Sequence, residues 1–138
     1  MTTINGEADI IRHVLSTMKT IAVVGLSTDP SKDSYRVAQY VKEHGYRIIP
    51  VNPGSNEILG EKSYPDLKSI GEPVEVVDVF RRPEHVPDIA KEAVAISAKV
   101  LWLQLGIESE EGAAIARKGG LSVIQNACMM QEHKRLRD

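Results

Sequence analysis

The sequence predicts a single α/β domain, a mostly parallel sheet covered by helices on both faces. Two observations lead there. Short apolar runs of strand length recur at residues 21–24, 46–53, 74–80, 99–106 and 121–127. Between them lie stretches whose apolar residues fall at helical spacing, and strands separated by helices imply right-handed βαβ units. Length agrees, since 138 residues favour one domain. A chain of this size buries roughly two thirds of its unfolded surface.

The elements follow in order. Residues 8–18 place Ile10, Ile11, Val14, Leu15 and Met18 on one helical face. Asn5 is expected to cap this helix, with Glu7 favoured in its first turn. Residues 21–24 form the first strand, buried on both faces. After the loop "GLSTDPSKDS", residues 35–44 set Val37, Ala38, Tyr40 and Val41 on a second helix, stopped by Gly45. "YRIIPVNP" is the second strand, ended by Pro53 and Gly54. The polar stretch 56–70 holds a short edge strand before Pro65 and one helical turn after it. "VEVVDVF" is the strongest strand of the chain. "RPEHVPDIAKEAVAIS" is a helix in which Pro83 and Pro87 both fall where a missing N–H is tolerated. "KVLWLQLG" is a strand, "SEEGAAIARKGG" a helix closed by Gly119 and Gly120, "LSVIQNA" the last strand and "MMQEHKRLR" a final short helix. No internal repeat or linker interrupts the series, so residues 1–138 read as one domain.

Composition removes several function classes. With 42% apolar and 26% charged residues the chain is neither disordered nor of low complexity. A net charge of −2 offers no basic surface for generic nucleic-acid binding. The single cysteine, Cys128, excludes an internal disulfide framework and a multi-cysteine metal site. His13, His44, His85 and His133 show no ligand spacing, so no metal is expected. The N-terminus lacks a secretory pattern, and no apolar run reaches membrane-spanning length. The expectation is a soluble cytoplasmic protein, monomer or homodimer.

In open parallel sheets a ligand occupies the crevice beyond the carboxyl ends of the strands, where strand order reverses. The first such turn, Gly25-Leu26-Ser27-Thr28-Asp29-Pro30, has one glycine, two hydroxyl residues and N–H groups near a helix start, which suits an anion. It is neither GxGxxG nor a Walker loop. The second strand ends in Asn52-Pro53, without the carboxylate that holds NAD ribose hydroxyls. That counts against NAD and NADP. Arg36, near the start of the second helix, could reach a phosphate or adenine through its guanidinium fork. Lys32 is a weaker candidate. Of the pair after the third strand, Arg81 is favoured over Arg82 because it directly follows the strand end.

The segments "AVVGLSTDPSKDSYRVAQYVKEHGYRIIPVNP", "LGEKSYPDL", "VEVVDVFRRPEHVPDI", "LWLQLGI" and "NACMMQEHKRL" together resemble the small stand-alone CoA-binding proteins. Their domain is similar to the CoA-binding domain of the succinyl-CoA synthetase alpha subunit. The resemblance runs in one order over residues 21–136. It implies a Rossmann-like domain with coenzyme A, or an acyl-CoA, across the strand ends. Gly25, Leu26, Ser27 and Thr28 would then lie against the pyrophosphate, and Asn52 and Pro53 would border the adenosine. Phe80 and Arg81 would flank the crevice, while Gly106 and Asn126 would close the side toward the pantetheine arm. The synthetase carries its phosphorylated histidine in a separate domain, which this chain is not expected to hold. The resemblance therefore implies binding and does not bring ligase activity with it.

Two alternatives stay open: an NAD(P)-dependent oxidoreductase, and a thiol-redox regulatory protein using Cys128. Mixed-disulfide exchange needs an accessible thiolate, whereas cysteine is often simply buried. Glu132 and His133 read as solvent-facing residues of the last helix, and Trp102 as a packing residue in its strand.

Overall fold

The computed structural model describes residues 6–137; Asn5, the expected cap of the first helix, lies outside them. In chain order the elements are α1 (Gly6–Thr17), β1 (Thr20–Val24), α2 (Asp33–Glu43), β2 (Arg47–Val51), β3 (Glu57–Ile58), β4 (Glu61–Lys62), β5 (Val76–Val79), α3 (Val86–Ala95), β6 (Val100–Leu103), α4 (Glu110–Lys118), β7 (Ser122–Ile124) and α5 (Met129–Arg137). Short 3₁₀ turns occupy Leu67–Ser69 and Pro83–His85.

Five strands form one parallel sheet in the order β2-β1-β5-β6-β7. The chain starts at β1, steps to β2, then crosses back over β1 to β5. The order therefore reverses between β1 and β5, which makes their carboxyl ends the switch point. Alternation along each strand divides the core into two layers. Ile21, Val23, Val76, Val100, Trp102 and Ile124 face α1, α2 and α5, meeting Val14, Leu15, Val37, Val41 and Met129. Ala22, Val24, Val77, Val79, Leu101 and Leu103 face α3 and α4, meeting Ile89, Ala90, Ala93, Ala113 and Ala116. The result is the Rossmann-like three-layer arrangement.

Local chemistry accounts for the boundaries. Pro50 is tolerated in β2 because that strand lies at the sheet edge. Its carbonyl accepts the Tyr64 N–H at 3.0 Å, and the Asn52 N–H returns to the Tyr64 carbonyl at 2.9 Å. The expected single edge strand before Pro65 is instead the β3–β4 hairpin, turned by Leu59 and Gly60 at φ 56° and 75°, followed by a lone bridge from Tyr64 to Val51. The helix read over residues 82–97 divides: Pro83 opens a 3₁₀ turn and α3 starts at Val86, with Pro87 in its first turn. Ser109 caps α4 by accepting the Gly112 N–H at 3.0 Å.

Gly112 also lets α4 approach α3. A Cβ there would lie 2.4 Å from Cγ1 of the fully buried Val86. Gly112→Ala is therefore expected to destabilise the fold by about 1–2 kcal/mol, overpacking outweighing the better helix propensity of alanine. A urea unfolding series on the two proteins checks it.

Candidate functional site

Beyond the carboxyl ends of β5, β6 and β7, facing the start of α2, lies a cleft of about 490 Å³. Asp33, Arg36 and Val37 of α2 form one wall. Phe80, Arg81, Arg82 and Pro83 follow β5, and Gln104 to Ile107 follow β6. Cys128, Met130 and Gln131 close the side beyond β7.

Of the residues singled out in the sequence, Arg36, Phe80, Arg81, Gly106 and Cys128 border this cleft. Gly25, Leu26, Ser27, Thr28, Asn52, Pro53 and Asn126 do not. Gly25 joins the first turn to the cleft. It adopts φ +89°, and a Cβ on it would lie 2.7 Å from the Phe80 carbonyl oxygen and 2.9 Å from Arg81 Cδ. Leu26 is fully buried, backbone included, and its carbonyl accepts Asn52 Nδ2.

Several polar groups of this rim hold loops together. The Ser27 N–H donates to Ser34 Oγ at 3.0 Å, and Ser27 Oγ accepts the Asp29 N–H at 3.0 Å. Asn52 Nδ2 donates to the Leu26 carbonyl at 2.9 Å, and its Oδ1 accepts the Gly54 N–H at 2.7 Å. Asn126, itself at φ 56°, accepts the Gly106 N–H at 2.6 Å and so braces a turn that needs φ 86°. Sequence reasoning set Ser27, Asn52 and Asn126 beside a ligand and foresaw none of these hydrogen bonds.

The cations differ in the same way. Arg36 donates to the Ser31 carbonyl at 3.0 Å and pairs with Asp33. Arg82 pairs with Glu84 at 3.3 Å. Arg81 makes no ion pair or side-chain hydrogen bond among the described residues, and it is partly buried beside Gly25. No side chain caps α2 at Lys32, so the first-turn N–H groups add positive potential near this wall.

The sequence reading passed over Asp78, a carboxylate in the middle of "VEVVDVF". It is 2% exposed, and its Oδ1 accepts Gln104 Nε2 at 2.6 Å. Burial pushes its carboxyl up to about 7, against a smaller lowering by that hydrogen bond. The signal was available: a charge interrupting an apolar run that must be buried on both faces.

Cys128 is buried at the cleft edge. Trp102 is fully buried and donates Nε1–H to the Ala127 carbonyl at 2.8 Å, a packing role. His133 is not simply solvent-facing. Its Nδ1 lies 2.8 Å from the Tyr40 hydroxyl, and its ring meets His44 and Tyr46 edge-on. Burial first, then His44, Arg137 and Lys19, hold its pKa below the ordinary histidine value. Among the described residues no group of three His, Cys, Asp or Glu could hold a metal ion, and no helix is long and apolar enough to cross a membrane.

A family model described as a CoA binding domain matches residues 19–134. The uncharacterized protein YneT of Bacillus subtilis is 41% identical over 123 residues, covering 89% of this chain and 91% of that one. Subunit alpha of the ADP-forming acetate–CoA ligase II of Pyrococcus furiosus is 30% identical over 129 residues, covering 84% of this chain but 28% of the subunit. The structure of a hypothetical protein from Pyrococcus horikoshii superposes with a TM-score of 0.93 at 38% identity, covering 100% of this chain and 97% of that one.

The Asp78 shift has a consequence for stability. Its folded-state pKa lies above its unfolded value, so the fold keeps a proton that the unfolded chain has released. Stability from this group is full at acid pH, falls between roughly 4 and 7, and is level above. Asp78→Asn is expected to match the parent protein near pH 4. At pH 8 it should exceed it by up to about 4 kcal/mol. Urea midpoints of both proteins at the two pH values check the difference.

Proposed function

The chain belongs to the CoA binding domain family, and on that premise we propose that it holds coenzyme A or an acyl-CoA across the carboxyl ends of the sheet, without a reaction of its own. One observation carries the reading. Arg81, unpaired and partly buried, stands between the Gly25 turn and the cleft at the switch point of the sheet. A partly buried arginine without an ion-pair partner among the described residues suits a phosphate oxygen pair. The turn Gly25 to Thr28 would lie against the pyrophosphate, and the first-turn N–H groups of α2 would take the rest of its charge, with Arg36 on that same wall. The adenosine would rest by Asn52 and Pro53, and the pantetheine arm would run through the cleft past Gly106, with Asn126 holding that turn.

The absence of a carboxylate at the end of β2, where Asn52 is occupied by Leu26 and Gly54, disfavours a nicotinamide dinucleotide. Among the described residues the cleft holds no nucleophile hydrogen-bonded to a base, which favours binding over catalysis.

Calorimetric titration of reduced protein with CoA, acetyl-CoA, NAD and NADP tests the proposal. Saturable binding of CoA or acetyl-CoA alone supports it. Preference for NAD or NADP, or no binding at all, overturns it. Arg81→Ala is expected to weaken CoA binding roughly tenfold or more, the loss of a charge-assisted hydrogen bond. Arg82→Ala, which removes an exposed pair with Glu84, should change it by less than about threefold.

A further inference from the structure

Beneath the cleft, Asp78 and Gln104 form a pair with no charged partner among the described residues. Gln104 borders the cleft at 3% exposure, while Asp78 lies below it. Gln104 Nε2 is engaged by Asp78 Oδ1. Among the described residues no buried side-chain nitrogen or oxygen lacks a partner, and Gln104 Oε1 makes no hydrogen bond. That oxygen is therefore left without a protein partner among the described residues, on a side chain whose residue borders the cleft.

Resting on the reading that coenzyme A or its thioesters fill this cleft, we propose that Gln104 is a specificity-determining residue whose amide, oriented by Asp78, distinguishes the free thiol from the acyl thioester. An ionised carboxylate only accepts hydrogen bonds, so it fixes Nε2 toward itself and leaves Oε1 facing the ligand. An acceptor suits the S–H of free CoA or an amide N–H of its arm, and it opposes an acyl carbonyl. A protonated Asp78 carries an O–H that can donate to Oε1. The amide then turns over, and its NH₂ faces the cleft as a donor for a thioester carbonyl. The raised carboxyl pKa, about 7, places both forms near neutral pH.

The surroundings leave Asp78 free to act in this way. β1 sets Val23 opposite it, and β6 sets Trp102. The charged and titratable groups near the cleft are Asp33 and Arg36 of α2, Arg81 and Arg82 after β5, and Cys128 before α5. On the same face, Glu7 of α1 accepts the Gln125 N–H, and His133 of α5 turns to Tyr40. Burial and Gln104, not a charge, dominate the Asp78 carboxyl.

The test measures CoA and acetyl-CoA affinities by calorimetry from pH 6 to pH 8 and follows their ratio. The 3′-phosphate titrates in both ligands and cancels. In the parent protein the ratio is expected to shift toward acetyl-CoA by about fivefold on acidification, the worth of one hydrogen bond. In Asp78→Asn the ratio should be flat, whereas titration of any other cleft group would persist there. Gln104→Met, which keeps the length and removes both polar atoms, should also give a flat ratio while CoA still binds. A flat ratio in the parent protein, or the parental slope surviving in either variant, overturns the proposal alone. Failure of both ligands to bind at every pH overturns the coenzyme A reading and this one with it.

Discussion

The close approach of two strand ends at Gly25 is the constraint on which the site depends. The Gly25 N–H reaches the Val51 carbonyl at 3.0 Å, and the Phe80 N–H reaches the Val24 carbonyl at 2.8 Å. Three strand ends are thus tied within one turn. A side chain at Gly25 would meet the Phe80 backbone and carry a φ that L-residues rarely adopt. Without a glycine there the β1 loop must lift away from β5. The Arg81 side chain would then lose the neighbour that places it between turn and cleft.

Most of the polar groups at the strand ends are used by the protein itself. Asn52, Asn126, Ser27 and Ser34 satisfy backbone groups of loops that would otherwise be loose. Such braces fix the rim before any ligand arrives, which reduces the ordering that binding must impose. What is left for a ligand is a short set: the first-turn N–H groups of α2, the Arg81 guanidinium, Gln104 and apolar walls such as Phe80 and Ile107.

The sequence made the architecture legible because β/α alternation is written in periodicity, and periodicity is local. Every strand of the main sheet and all five helices lie where those runs fall. The edges moved for reasons of backbone chemistry, as at Pro83 and at the Leu59–Gly60 turn. The rim was less legible because the hydrogen bonds that tie one loop to another are not local. Asn52 meets a carbonyl 26 residues away, and Asn126 an N–H 20 residues away. Nothing in a short window distinguishes a brace from a free ligand contact. Asp78 was hidden differently: the surrounding valines set the strand reading, and one carboxylate among them does not change it.

The terminal helix has a mechanical consequence. α2 and α5 each present their first residues to the cleft, Arg36 and Val37 on one side and Met130 and Gln131 on the other. Farther along both helices, Tyr40 meets His133 and His44 meets Arg137, at 2.8 Å in each case. The two walls are therefore arms of a caliper whose fastening lies at the opposite end from its jaws. None of the four clasp residues borders the cleft, so the spacing of its walls is fixed from outside it.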